Sequence, residues 1–316
     1  LEEQSRLPGS SKSIQKFIFL QGDRQMRKAV AYGVVALIAM GTMLGSARAA
    51  GVGEGKSFKG PTGLQLYSLR NMFKEQGVPA TLDKVQQWGF KYVEGASSYG
   101  MKRAEFRAEL EKRGLQWISA AFPYNRLRDD IDGVVREAKE MGVPFVGCAY
   151  IPHKKPFDEK QCRAAAAVFN HAGKALAEQG QTFYYHNHGY EFYPYGDGTL
   201  FDLLAAETDP RYVSFEMDVL WTFHPGHDPA KLLQKYPDRW RLLHLKDLRK
   251  GVPTGLDAGK VAPTDDVAVG TGQVDWPSLL RVSQKLGVKY YFIEDESPAV
   301  VEQVPQSLRF LEQLEF

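Results

Sequence analysis

The strongest constraint on how this chain folds is a recurring punctuation. Amphipathic stretches stop at Gly89, Gly114, Gly142, Gly180 and Gly287, and a β-rich run starts within one to three residues each time. Glycine tolerates the left-handed backbone that closes a helix, so each stop reads as a helix-to-strand junction. The β-rich runs predicted between the helices are 64–69, 90–94, 116–122, 145–150, 182–186, 213–218, 241–246 and 289–294. Helical periodicity is carried, for example, by Ile131, Val134, Val135, Ala138 and Met141, and at the end of the chain by Val301, Val304, Leu308 and Leu311.

Strands that alternate with helices imply a parallel sheet, and eight such units predict an α/β fold closed as a (β/α)₈ barrel. The rival is an open doubly wound sheet, but no strand here leads into a Gly-x-Gly-x-x-Gly turn. A long insertion, Arg249–Val274, follows the seventh strand and is expected to lie over the face where barrel enzymes place their chemistry.

The barrel is assigned to residues 62–316, and what precedes it has a different character. Met26-Arg27-Lys28, an apolar run from Ala29 to Leu44 and Ala47-Arg48-Ala49 have the order of a secretory signal peptide, assigned to 26–49. The apolar run falls short of the roughly 20 residues of a spanning helix, so no stable membrane span is expected after processing. Export to a periplasm or to the medium is the corresponding expectation. Residues 1–25 read as an unstructured upstream extension, and 50–61, rich in glycine and lysine, as a flexible lead-in. A net charge of +2 with interspersed signs excludes a nucleic-acid stripe. Cys148 and Cys162 do not make a disulfide framework and are expected to be buried.

In a barrel, a polar residue at the C-terminal end of a strand faces the site. Strand two ends in Glu94, strand five in His186-Asn187-His188, strand six in Asp218, strand seven in His244-Leu245-Lys246-Asp247 and strand eight in Glu294-Asp295-Glu296. Asp218, His244 and Glu294 each follow an apolar run, and a buried charge there wants a metal or a partner. Nitrogen and oxygen donors without thiolate suit Mn²⁺, Mg²⁺, Co²⁺, Zn²⁺ or Fe²⁺. Glu94 reads either as a substrate contact or as a structural ion pair, and Glu191 either reaches the site or caps a turn. Lys246 shares a strand face with His244 and is a proton-transfer or substrate-binding candidate, whereas Asp247 points outward as a structural group. His224 and His227 are candidates for substrate binding; His153 and His171 read as surface residues.

These motifs carry a resemblance. Leu64-Gln65-Leu66-Tyr67-Ser68-Leu69-Arg70, Tyr185-His186-Asn187-His188-Gly189-Tyr190-Glu191-Phe192, Met217-Asp218-Val219, Leu243-His244-Leu245-Lys246-Asp247 and Val269-Gly270-Thr271-Gly272 are similar to the xylose isomerase-like TIM-barrel superfamily, especially proteins described as sugar phosphate isomerase/epimerase. The resemblance implies a divalent metal held by a carboxylate on strand five, an Asp on strand six, a His on strand seven and a Glu on strand eight. Asp218, His244 and Glu294 fit three of these places. Strand five departs from the pattern, because His186 stands where the carboxylate is expected. Either His186 is the ligand or Glu191 folds back to supply one, and Glu191 is the preferred candidate.

The resemblance also implies proton transfer beside a carbonyl of a small carbohydrate through an enediolate, with Glu294, His188 and Lys246 as catalytic groups and Glu94, His186 and His224 as substrate contacts. The expected activity is a sugar isomerase or epimerase. A lyase or dehydratase of a keto-sugar or keto-glycoside is the alternative, followed by a non-catalytic sugar-binding barrel. The superfamily's DNA nucleases need histidines after strands two and three, which are absent here.

Overall fold

The structure, a computed structural model, describes residues 51–316. The upstream extension at 1–25 and the signal-peptide pattern at 26–49 lie outside the described residues. Eight parallel strands close a barrel: β1 (Thr62–Gln65), β2 (Tyr92–Glu94), β3 (Gln116–Ala121), β4 (Phe145–Cys148), β5 (Thr182–His186), β6 (Val213–Asp218), β7 (Trp240–Leu245) and β8 (Tyr290–Ile293). Each strand pairs with its neighbours in sequence, and β8 pairs with β1. The five glycine stops hold φ between +68° and +86°, the left-handed backbone expected of them.

The alternation of side chains along β5 shows why the barrel is solid. Phe183 and Tyr185 point outward into the layer between sheet and helices, where Phe169 of the helix Glu159–Ala177 meets both rings. Tyr184 points inward and packs with Ile118, Leu242 and Phe292 in a separate apolar cluster. That cluster is the floor on which the polar strand ends stand. Two glycines make room for it: a Cβ on Gly147 would lie 2.3 Å from the Tyr184 ring, and one on Gly63 2.6 Å from Phe292. The Tyr184 hydroxyl bonds to Ser119 Oγ at 2.7 Å, so the inward tyrosine is satisfied without water.

Several local expectations change. The first strand ends at Gln65, and Leu66–Leu69 form a 3₁₀ turn, because the Gln65 side chain accepts the Tyr67 N–H and bends the chain. The following helix begins at Arg70 and runs to Gln87, kinked where Gly77 leaves helical geometry. The helix expected after strand three is two helices, Tyr124–Asp129 and Ile131–Met141, and Asp130 caps the second through the Gly133 N–H.

The segment 50–61, expected to be a flexible lead-in, is packed where it is described. Phe58 is fully buried edge-on to Tyr291, Gly53 N–H donates to Glu312, and Lys59 N–H donates to Gln284. Its glycine content masks the one aromatic anchor. Among the described residues, no helix is long and apolar enough to cross a membrane.

The insertion after β7 is held by one carboxylate. Asp247, at the end of β7, accepts hydrogen bonds from the backbone N–H of Leu248, Gly270, Gly272 and Val274 and from the Trp276 indole. It faces away from the barrel interior, as expected, but is fully buried by the loop it organises. Within the insertion, Asp266–Val267 pairs antiparallel with Asp247–Leu248.

Replacing Gly147 with alanine should force the Tyr184 ring off its floor position. An unfolding free energy lower by about 1–3 kcal/mol in urea is expected, and an unchanged midpoint would contradict this packing.

Candidate metal centre and adjoining cleft

The C-terminal strand ends bring an unusual number of ionisable groups out of water. Glu94, His186, Glu216, Asp218, His244, Lys246 and Glu294 are all buried. Pairing register sets them side by side: His186 faces Glu216 across β5–β6, and Asp218 faces His244 across β6–β7. Shifts of register next to Glu94 and Glu216 re-aim both side chains.

Each imidazole has one nitrogen committed to a carboxylate below it. His186 Nδ1 lies 3.1 Å from Glu216 Oε2, and His244 Nε2 lies 2.6 Å from Glu94 Oε1. Glu94 is itself steadied by Gln65 Nε2 at 2.6 Å. The opposite nitrogens turn towards the remaining acids. His186 Nε2 is 3.7 Å from Asp218 Oδ2, and His244 Nδ1 is 2.9 Å from Glu294 Oε2. Lys246 Nζ lies among them, 3.8 Å from that Asp218 oxygen and 3.5 Å from that Glu294 oxygen. Carboxylates that grip the far nitrogen of a metal-binding histidine fix its tautomer and its aim.

These residues fit a divalent cation. His186, Asp218 and His244 offer donor atoms within 4.8 Å of one another, and Glu94, Glu216 and His244 form a second, overlapping set. In the second set one oxygen of each carboxylate meets an imidazole, and Glu94 Oε2 and Glu216 Oε1 are left buried without a hydrogen-bond partner. In the first, Asp218 Oδ2 is buried with no hydrogen-bond partner. Burial pushes the Asp218 carboxyl up to about 6, although Lys246 opposes the shift. Burial and the neighbouring Glu94 raise Glu216 well above the usual carboxylate range. A buried excess of acid is what a cation relieves. Burial works against the Lys246 ammonium, but Glu294, Asp218 and Asp266 outweigh it and hold the amine charged.

The predicted residues divide. Asp218, His244, Glu294, His186 and Lys246 come together, and His186 rather than Glu191 stands beside Asp218. The Glu191 carboxylate accepts the His188 N–H at 3.0 Å and the hydroxyl of Tyr185, a residue of the outward face of β5. Its role in this structure is to tie down the turn after β5. Glu94 supports His244 through Oε1, and its Oε2 is buried without a hydrogen-bond partner. Asn187 clamps the two strand ends, accepting the Asp218 N–H and donating to Thr222.

Glu216 escapes a reading of β6 as apolar up to Asp218, although two residues' spacing already puts both acids on one face. Asp266 escapes the sequence as well. It is buried 4.0 Å from Lys246 and accepts the Glu296 N–H, and only the fold of the insertion brings it there.

Beside the cluster opens a cleft of about 610 Å³. His188 belongs to both: its ring lies 5.1 Å from His186, it lines the cleft, and its Nδ1 is buried without a partner. Trp221 lines the cleft three residues after Asp218, whose Oδ1 accepts the Trp221 N–H at 2.8 Å. His224 lines it as well. His153, expected at the surface, is half-buried in the cleft wall with its ring 4.2 Å from Tyr190. His227 stacks on Phe192 away from the cleft, and His171 is exposed.

Comparison with known proteins agrees with this architecture. The profile of the xylose isomerase-like TIM barrel matches residues 82–314. Inosose dehydratase 2 of Bacillus cereus is 26% identical over 188 residues, 52% of this chain, which spans 61% of that relative's length. Inosose dehydratase of Clostridium botulinum is 24% identical over 252 residues, covering 70% of this chain and 83% of the relative. A sugar phosphate isomerase/epimerase from Parabacteroides distasonis superposes with a TM-score of 0.67 at 23% identity, covering 85% of this chain and 96% of the other. The IolI protein, crystallised with a bound zinc atom, superposes at 0.61 with 12% identity, covering 79% and 95%. At these identities the two solved structures establish a shared fold.

Asp218→Ala and His244→Ala should purify folded and metal-poor by elemental analysis; full occupancy in both would remove the centre. Glu216→Gln should bind metal about 10–100-fold more weakly in competition with a chromogenic chelator, and unchanged affinity would show that this carboxylate does not orient His186.

Proposed function

Because the chain belongs to the xylose isomerase-like TIM-barrel family, we propose that it is a divalent-metal-dependent enzyme that moves a proton at the carbon beside the carbonyl of a small polyhydroxylated ketone. The convergence of His186, Asp218, His244 and Glu294 beside Lys246 carries this reading. A cation held by these four would supply Lewis acidity to the substrate carbonyl oxygen.

The chain's own proton-transfer groups are of two kinds. Burial pushes the His188 imidazolium down to about 4, so the ring is neutral near pH 7 and can accept a proton. Lys246 stays an ammonium and can donate one. Environments that push two groups in opposite directions mark the base and the acid. Glu294 is held well below the usual carboxylate range by Lys246 and His244 in spite of burial, which makes it a better ligand than base.

A neutral base and a charged acid suit a one-way elimination. His188 takes the proton beside the carbonyl, Lys246 protonates the departing β-hydroxyl, and water leaves. We therefore favour the lyase outcome, as in the relatives named inosose dehydratase. The isomerase or epimerase outcome shares the first step and returns the proton. The metal-loaded protein should exchange deuterium into the carbon beside the carbonyl of a keto-inositol or ketose, followed by NMR in D₂O, and a chelator should stop it. Elimination adds an unsaturated or deoxygenated product; absence of both exchange and product across the panel would overturn the proposal.

The signal-peptide pattern supports a further part of this reading: the enzyme is exported and meets free, unphosphorylated sugars. Expression with the whole N-terminus in a bacterial host should give a periplasmic protein whose first residue is Ala50 by N-terminal sequencing. A cytoplasmic, uncleaved product would contradict it.

A further inference from the structure

The cleft beside the cluster is built unlike a second sugar subsite. Of the five large hydrophobic residues that stand exposed among the described residues, three line it: Tyr150 at 49%, Tyr193 at 41% and Leu256 at 37%. Trp221 and Tyr190 complete an aromatic wall. No Asp, Glu, Asn, Gln, Ser or Thr side chain contributes to the lining. The carboxylates and amides that take sugar hydroxyls in pairs are thus missing, and the polar groups that remain are tyrosine hydroxyls, an indole, imidazoles and two ammoniums. Lys155 and Lys260 at the cleft, with no acid opposite, disfavour a cationic occupant.

The wall is fixed before any ligand arrives. The Tyr190 hydroxyl accepts the Ile151 N–H at 2.9 Å and bonds to the Tyr185 hydroxyl at 3.0 Å. On the far side, the insertion is anchored by Gly255 N–H donating to the His224 carbonyl at 2.7 Å. A preformed, mostly apolar pocket of about 610 Å³ lies within the range of roughly 300–1,000 Å³ that holds drug-sized molecules. His188 joins it to the cluster, so one molecule can reach from the ligand residues into the cleft.

We propose that the substrate is an aryl keto-glycoside, with its ketone-bearing sugar ring at the cluster and a flat, uncharged or anionic aromatic ring in the cleft against Tyr150, Tyr193 and Trp221. This rests on the cluster being the sugar site of the proposed function. Aromatic faces and edges stack on such a ring, and the unpartnered His188 Nδ1 and His224 Nε2 are left to the polar part of the molecule.

The test is a binding measurement on the full, metal-loaded chain and needs no turnover. By calorimetry, phenyl β-D-glucopyranoside, an unreactive analogue without the ketone, should bind at least tenfold more tightly than methyl β-D-glucopyranoside and than cellobiose. Saturation-transfer NMR should be strongest at the phenyl protons. Tyr150→Ala and Tyr193→Ala, both exposed and expected to leave the unfolding midpoint unchanged, should together abolish the preference. Equal binding of the phenyl and methyl glycosides would overturn the proposal. So would tighter binding of cellobiose, or a phenyl preference that survives the double substitution. An aryl preference without any proton exchange on ketones would leave this cleft standing and sink the proposed chemistry alone.

Discussion

A surplus of buried carboxylate at one end of the barrel is the constraint around which the rest is arranged. Glu94, Glu216, Asp218, Glu294 and Asp266 all leave water within reach of one lysine and two imidazoles. An ionised acid without a partner is costly in such surroundings. The structure answers with a division of labour. Glu216 and Glu94 each hold one nitrogen of His186 and His244, and Asp218 and Glu294 face the opposite nitrogens of the same two rings. Lys246 shares its charge among Asp218, Asp266, Glu294 and Glu296. The raised carboxyl groups of Asp218 and Glu216 are the sign that these partners alone do not meet the demand.

Such precision needs a rigid base. Tyr184, Ile118, Leu242 and Phe292 fill the barrel directly beneath the polar layer, and Gly147 and Gly63 let two of those rings in. Above, two carboxylates outside the ligand cluster shape the entrance. Asp247 gathers the insertion through five N–H donors, and Glu191 pins the turn that carries His188 and Tyr190. The cleft walls are therefore built from the same strand ends that present the ligand residues. Asp218 serves both: one oxygen faces His186, and the other caps the short helix bearing Trp221.

Much of this is legible in the residues. The glycine stops announce the helix-to-strand junctions because a positive φ favours that residue, and polar groups closing apolar runs announce the chemical face. Three of the four converging ligand candidates, Asp218, His244 and Glu294, follow from that logic. Glu216 is legible too, since its spacing from Asp218 puts it on the same face, but it lies one layer deeper than a search of strand ends looks. Phe58 is hidden by the glycine-rich composition around it.

The sequence by itself determined the barrel and the set of strands that carry acids and imidazoles, because side-chain period and glycine punctuation are local properties of the chain. It could not determine which way Glu191 turns, which carboxylate each histidine nitrogen meets, or that Asp266 returns to Lys246 from a distant loop. Those depend on register shifts, on the Tyr185 hydroxyl and on the folding of the insertion around Asp247, all of which involve residues far apart in the chain. Only the tertiary structure decided that His186 takes the place beside Asp218 and that an aromatic cleft opens next to it.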